Sequence, residues 1–220
     1  ANDGHLDNGM RVVAYDVKGK YVISVSVVVP LLLSDEPRDV EGVASLMSQL
    51  LDEGTERHDS EDFAALLERH GIALSAGVND GALMVDVDVP VRHLETALAL
   101  LAEALAIPTF PDDEVRRLRS ARLAEIEQER ASAPHRAARE LIATLWAPYE
   151  RASRPTAGAA STVAQISRSH VAELHAERVG PMGASLVVAG SLSGVDLSSM
   201  LHRTVVGGMR RGTSSRPRPS

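Results

Sequence analysis

Metal chemistry is the first chemistry that the residue types of this 220-residue chain suggest. His170-Val-Ala-Glu-Leu-His175 brings together two imidazoles and a carboxylate, the kind of set that holds zinc and activates water on it. The spacing fails. Residues five apart on a helix are rotated by about 140°, so the two rings cannot share one ion. His58, His70 and His135 stand isolated in the sequence. The absence of cysteine removes thiolate metal sites, disulfides and cysteine nucleophiles. No Gly-x-Ser-x-Gly elbow is present, and Gly207-Gly208 lacks the lysine and helix of a phosphate loop. Ser45, Ser48, Gln49 and Asp52 share one side of a segment whose other side is Val43, Leu46 and Leu50, which by itself reads as a solvated helix face. Glu125 sits in a run with Glu127, Glu129 and Arg130, and Arg116, Arg117, Arg119 and Arg122 precede it; both read as solvated surface.

The composition narrows the classes further. Lys plus Arg number 23 and Asp plus Glu 30, giving a formal charge of −7, the wrong sign for a general nucleic-acid binder. Aromatic residues make up only 3% of the chain, so stacking platforms for bases are not expected and the core must be aliphatic. No stretch approaches the roughly 18 apolar residues of a membrane span, and Val27 to Leu33 is broken by Pro30. With no leader visible and no cysteine to report on redox, the compartment stays open, a soluble cytoplasmic chain being the expectation.

The elements that must carry any site follow from periodicity. Strands are expected at 10–16 and 21–29, the latter alternating Ile23, Val25 and Val27 with Ser24 and Ser26. Helices are expected from Val43 to Leu51, stopped by Gly54, and from Ser60 as N-cap to Gly71. A hairpin over 72–78 and 82–89 turns at Asn79-Asp80-Gly81. Helices then run from Leu94 to before Pro108, from Asp112 to about Ser132, and from Pro134 to Trp146. A loop over 148–161, a short helix capped by Thr162 with Gln165, a helix over His170–Arg178, a strand over Ser185–Ala189 and a short helix near Val195–His202 complete the chain. The order β-β-α-α-β-β-α-α-α-α-β predicts an α+β fold, a mainly antiparallel sheet with helices packed on one face. Residues 1–208 form one domain, and 209–220, rich in Arg, Ser and Pro, read as a disordered tail or the start of an inter-domain linker.

Six segments, in this order, resemble the insulinase/pitrilysin-like zinc metallopeptidases, the family of the mitochondrial processing peptidase. They are Leu6-Asp-Asn-Gly-Met-Arg-Val-Val13, Glu41 to Thr55 (EGVASLMSQLLDEGT), Phe63 to Ala76 (FAALLERHGIALSA), Phe110-Pro-Asp-Asp-Glu-Val115, Ala147-Pro-Tyr149 and Met182 to Gly190 (MGASLVVAG). The resemblance covers roughly residues 5–200 and implies one domain of a clamshell closing around a peptide. Active members carry His-x-x-Glu-His on the helix matched by Glu41–Thr55. Imidazoles four apart lie about 40° apart on a helix and can share a zinc, and the Glu activates its water. On this chain the three positions fall on Ser45, Ser48 and Gln49, and the third ligand falls on Glu125; a further acid of active relatives falls near Leu118. Hydroxyls and an amide are poor zinc ligands and no general base near neutral pH. The resemblance therefore implies no catalytic residue, no metal and no cofactor in this chain. It implies a non-catalytic subunit or half-subunit of a heterodimeric zinc peptidase, walling the peptide chamber for a partner that keeps the motif and the zinc. The alternative it implies is a scaffold subunit of a larger complex, as in the respiratory cytochrome complex. Expected partners are the motif-bearing subunit, a second domain and a peptide, with no nucleic acid and no membrane span.

Overall fold

The computed structural model describes residues 2–79 and 81–209. Strands β1 (Asn2–His5), β2 (Arg11–Asp16), β3 (Val22–Pro30), β4 (Ala73–Val78), β5 (Ala82–Pro90) and β6 (Ser185–Gly190) form one sheet in the order β1-β2-β6-β3-β5-β4. Every neighbouring pair is antiparallel except β2 with β6, which run parallel from Arg11 opposite Ser185 to Asp16 opposite Gly190. The alternation seen in the sequence sets the two faces. Ile23, Val25, Val27 and Val29 of β3 and Leu83, Val85, Val87 and Val89 of β5 are buried, and all helices that complete the core pack on that side. On the opposite face Ser24 donates to Asp88 at 2.6 Å and Ser26 donates to Asp86, cross-strand pairs that suit a surface in water.

The helices are α1 (Val43–Gln49), α2 (Ser60–His70), α3 (Leu94–Ala106), α4 (Asp112–Ala131), α5 (Ala133–Leu145), α6 (Ala160–Val163), α7 (Arg168–Arg178) and α8 (Leu197–Leu201), the last continuing as a π-helical turn over His202–Val206. α1 and α3 supply most of the helical core, with Leu46, Met47, Leu98 and Leu101 beside Phe63 of α2.

Four expectations need correction. β1 was not foreseen: its four residues are all exposed, so it carries no hydrophobic signal and is held only by pairing with β2. The N-cap of α2 is Asp59, whose carboxylate accepts from the Asp62 amide at 2.9 Å; Ser60 is the first helical residue. Thr162 is not an N-cap but lies at the third position of a single turn, where its hydroxyl accepts from the Ala159 amide. Met209, expected in the tail, is 3% exposed and belongs to the core, so the packed domain runs one residue further than expected; the rest of the expected tail, 210–220, lies outside the described residues, as does Asp80 of the hairpin turn.

Candidate functional site

α1 is the helix onto which the metal-motif positions map, and its position is set by unusual means. It begins after Gly42, which adopts φ +101°, and no side chain of its own first turn caps it. The cap comes from Glu36, six residues upstream of Gly42: Oε1 accepts from the amides of Gly42 at 3.0 Å and Ala44 at 2.9 Å. This carboxylate at a helix N-terminus is favoured by the two donors and the helix dipole. Its other oxygen takes Arg151 Nη2 at 2.8 Å. Arg154 forks onto Glu41, Nε to Oε2 at 2.7 Å and Nη2 to Oε1 at 2.8 Å, and Thr162 donates to the Glu41 carbonyl at 2.7 Å. The 151–162 segment is therefore a strap that binds the N-terminal end of α1 through two arginine–glutamate pairs. Burial pushes the Glu36 carboxyl above the usual range, and Arg151 with the two amides pulls it back down in part.

The motif face itself is mostly closed. Ser48, expected on a solvated face, is 2% exposed, and its hydroxyl donates to the Ser45 carbonyl at 2.8 Å. Ser45 is half-buried and only Gln49 is exposed. α4 packs against α1, yet Glu125 is turned to its own helix: Arg122 Nη1 lies 3.1 Å from it and 2.7 Å from Glu129. Glu125 lines a shallow cleft between α4 and α5 with Glu129 and His135. Leu118 packs against the core. Two hydroxyls, one of them donating to a carbonyl, an amide and a carboxylate engaged by arginine do not fit zinc. Among the described residues no group of three or more His, Cys, Asp or Glu is placed to hold a metal ion.

The histidines have structural partners. His170 Nδ1 accepts from the Ser167 amide at 3.2 Å, completing a capping box for α7. His175 packs edge-on against Phe110 and its Nε2 lies 3.0 Å from the Leu105 carbonyl; burial pushes its pKa down, so the neutral ring makes this bond. His70 Nδ1 lies 2.8 Å from the Leu66 carbonyl, and His135 Nδ1 lies 2.9 Å from the Ser132 hydroxyl. Sequence reasoning missed Glu36, Glu41, Arg151 and Arg154. Three acids in the seven residues before α1, Glu36, Asp39 and Glu41, were the available signal, and the partners of the two glutamates lie more than a hundred residues away.

Asp52 ends the motif face. Burial first, and the neighbouring Glu53 charge second, push its carboxyl pKa up. A group whose pKa is higher folded than unfolded favours the fold while protonated, and that contribution is lost as pH rises through the folded pKa. Asp52→Asn is expected to melt higher than the parent at pH 8, with the gap closing toward pH 4; melting curves across that range check it, and a gap independent of pH would contradict it.

With the geometry in hand, comparison with known proteins gives a consistent result. The family model described as Insulinase (Peptidase family M16) matches residues 11–159. The alpha subunit of the mitochondrial-processing peptidase of Bos taurus is 30% identical over 123 residues, 56% of this chain and 23% of that protein. A non-peptidase homolog, YmxG, of Helicobacter pylori is 28% identical over 88 residues, 40% of this chain and 20% of that protein. The crystal structure of a peptidase M16 inactive domain from Pseudomonas fluorescens superposes with a TM-score of 0.88 at 20% identity, covering 98% of this chain and 52% of that one. The chain thus spans about a quarter or less of these curated relatives' length.

Proposed function

This chain belongs to the insulinase family, peptidase family M16, and from that premise we propose that it is a non-catalytic subunit or half-subunit of a heterodimeric zinc peptidase. The observation that carries the reading is the state of α1. The helix is intact and strapped in place, but Ser45, Ser48 and Gln49 stand where the family's His-x-x-Glu-His would stand, and Ser48 is closed off from solvent. A chain that keeps the scaffold and lacks the ligands can shape a chamber without doing its chemistry. Two relatives and one fold neighbour, described as an alpha subunit, a non-peptidase homolog and an inactive domain, support the same direction.

In this reading the zinc sits in a partner with the intact motif, and this chain supplies a wall that excludes water. β4 is an edge strand packed beside α1, and its free backbone edge offers an extended peptide a place to pair. Peptide cleavage assays of this chain alone, of a motif-bearing partner alone and of the mixture test the proposal. Cleavage is expected from the mixture only or far above the partner alone, and zinc-dependent cleavage by this chain alone refutes it.

A scaffold role is the second reading, and one observation favours it. α5 has no buried residue, and Leu141, Ile142, Leu145 and Trp146 form an exposed apolar stripe at 59, 43, 69 and 49% exposure. Monomers seldom expose a patch of that kind. The chain is expected to self-associate at micromolar concentration in light scattering, and Leu141→Ser with Leu145→Ser to weaken that association about tenfold or more. A monodisperse parent monomer contradicts this. The companion decides between the two readings: a motif-bearing partner favours the peptidase, any other the scaffold.

A further inference from the structure

A cavity of about 590 Å3 lies away from the motif face, between α3, the Val179–Pro181 segment after α7, and the Gly207–Met209 end of the described chain. Its walls mix polar and apolar surface, with Ala99, Ile107, Val179 and Met209 among the apolar residues. One wall carries Glu103, a carboxylate whose side chain is only 5% exposed. Its Oε1 is fully engaged: the Thr55 hydroxyl donates to it and His58 Nδ1 lies 2.7 Å away. The Thr55 hydroxyl is itself fixed by the amides of Arg57 at 3.2 Å and His58 at 3.1 Å, so the carboxylate is held in one orientation. Among the described residues, Oε2 has only Arg57 Nη1 beside it, at 3.8 Å, beyond hydrogen-bond reach.

Arg57 also lines the cavity, and its side chain is 67% exposed and free to adjust. Arg203, at the rim, is engaged by Glu95 at 2.8 Å. The carboxylate is held in one orientation, and its Oε2 faces the cavity, where a donor that enters can reach it. An anion next to a loosely paired guanidinium, with Ala99, Ile107 and Met209 in the same walls, is complementary to a ligand with both charges and an apolar body.

We propose that this cavity binds a zwitterionic ligand with an apolar side chain, a free amino acid or a short peptide, through its ammonium on Glu103 Oε2 and its carboxylate on Arg57. The site is independent of the proposed peptidase role. Titration calorimetry and amide NMR of the 220-residue chain with L-leucine, leucylleucine, leucinamide and N-acetylleucine test it. Leucine or leucylleucine is expected to bind saturably and to shift the amides of Ala99, Gly207 and Gly208, and the tighter of the two identifies the source. Leucinamide and N-acetylleucine, each lacking one charge, are expected to bind about tenfold or more weakly. Arg57→Ala and Ala99→Leu change exposed side chains, and each should cost a similar factor with the melting temperature unchanged; Glu103→Gln should cost at least as much. Absence of saturation up to about 10 mM, equal binding of all four compounds, or shifts confined to another surface overturns the proposal.

Discussion

Arg151→Ala is expected to destabilise the domain by about 3–5 kcal/mol, because it leaves a buried charge without its counter-ion. The Glu36 side chain is 0% exposed and Arg151 only 11%. With the guanidinium gone, the carboxylate keeps the amides of Gly42 and Ala44 but has no ion-pair partner among the described residues. That is a large share of a typical stability of about 5–15 kcal/mol and should lower the melting temperature by about 6–20 °C. The pH dependence has a definite sign. Burial already raises the Glu36 carboxyl pKa and Arg151 opposes that shift, so the variant's pKa lies higher still. A raised folded pKa means stability present at low pH and lost as pH rises through it, so the deficit of Arg151→Ala should grow from acid to neutral pH. Glu36→Gln in the same background removes the charge and keeps an acceptor for both amides. It should recover half of the loss or more, and a double variant no more stable than Arg151→Ala would show that charge burial is not the cause.

What the sequence made legible was whatever repeats locally. β3 and β5 announce themselves because Val and Ile alternate with Ser and Asp, and α3 because its apolar residues recur three and four apart. β1 could not be read, since pairing with β2 rather than any buried side chain defines it. The place of β6 between β2 and β3 is also invisible in a linear string: a strand from the far end of the chain enters the middle of the sheet, parallel to one neighbour and antiparallel to the other. The site shows the same division. That Ser45, Ser48 and Gln49 share a helix with the buried Leu46 and Leu50 follows from spacing. That Ser48 is closed off does not, because its burial depends on what packs over α1. Nothing near Glu36 or Glu41 marks a structural role, because Arg151 and Arg154, which pair with them, are separated from them by 115 and 113 positions. Electrostatic partners at that range leave no periodic trace.

The backbone of the same strap supports the second large effect. Gly158 adopts φ +76°, and a β-carbon built there would lie 2.2 Å from the Glu41 carbonyl oxygen and 2.8 Å from Val163. Gly42 meets the strap from the other side, its β-carbon position 2.8 Å from the Ala157 carbonyl oxygen at φ +101°. The two chains therefore cross at backbone contact, and a carbonyl held by Thr162 cannot swing away as a flexible side chain could. Gly158→Ala adds a left-handed non-glycine residue, about 1–2 kcal/mol, to an overlap with fixed backbone, about 1–3 kcal/mol. Gly194→Ala is the control: φ is +78° there but no atom lies within 4 Å, so only the conformational cost applies. The expected signature is local as well as global. Pushing the strap off α1 loosens Arg151 and with it the Glu36 cap, so the amides of Gly42 and Ala44 should exchange with solvent about a hundredfold faster in Gly158→Ala and unchanged in Gly194→Ala. Equal melting temperatures for the two variants, with both amides still protected, would mean that the crossing yields easily and that the strap does not set the position of α1.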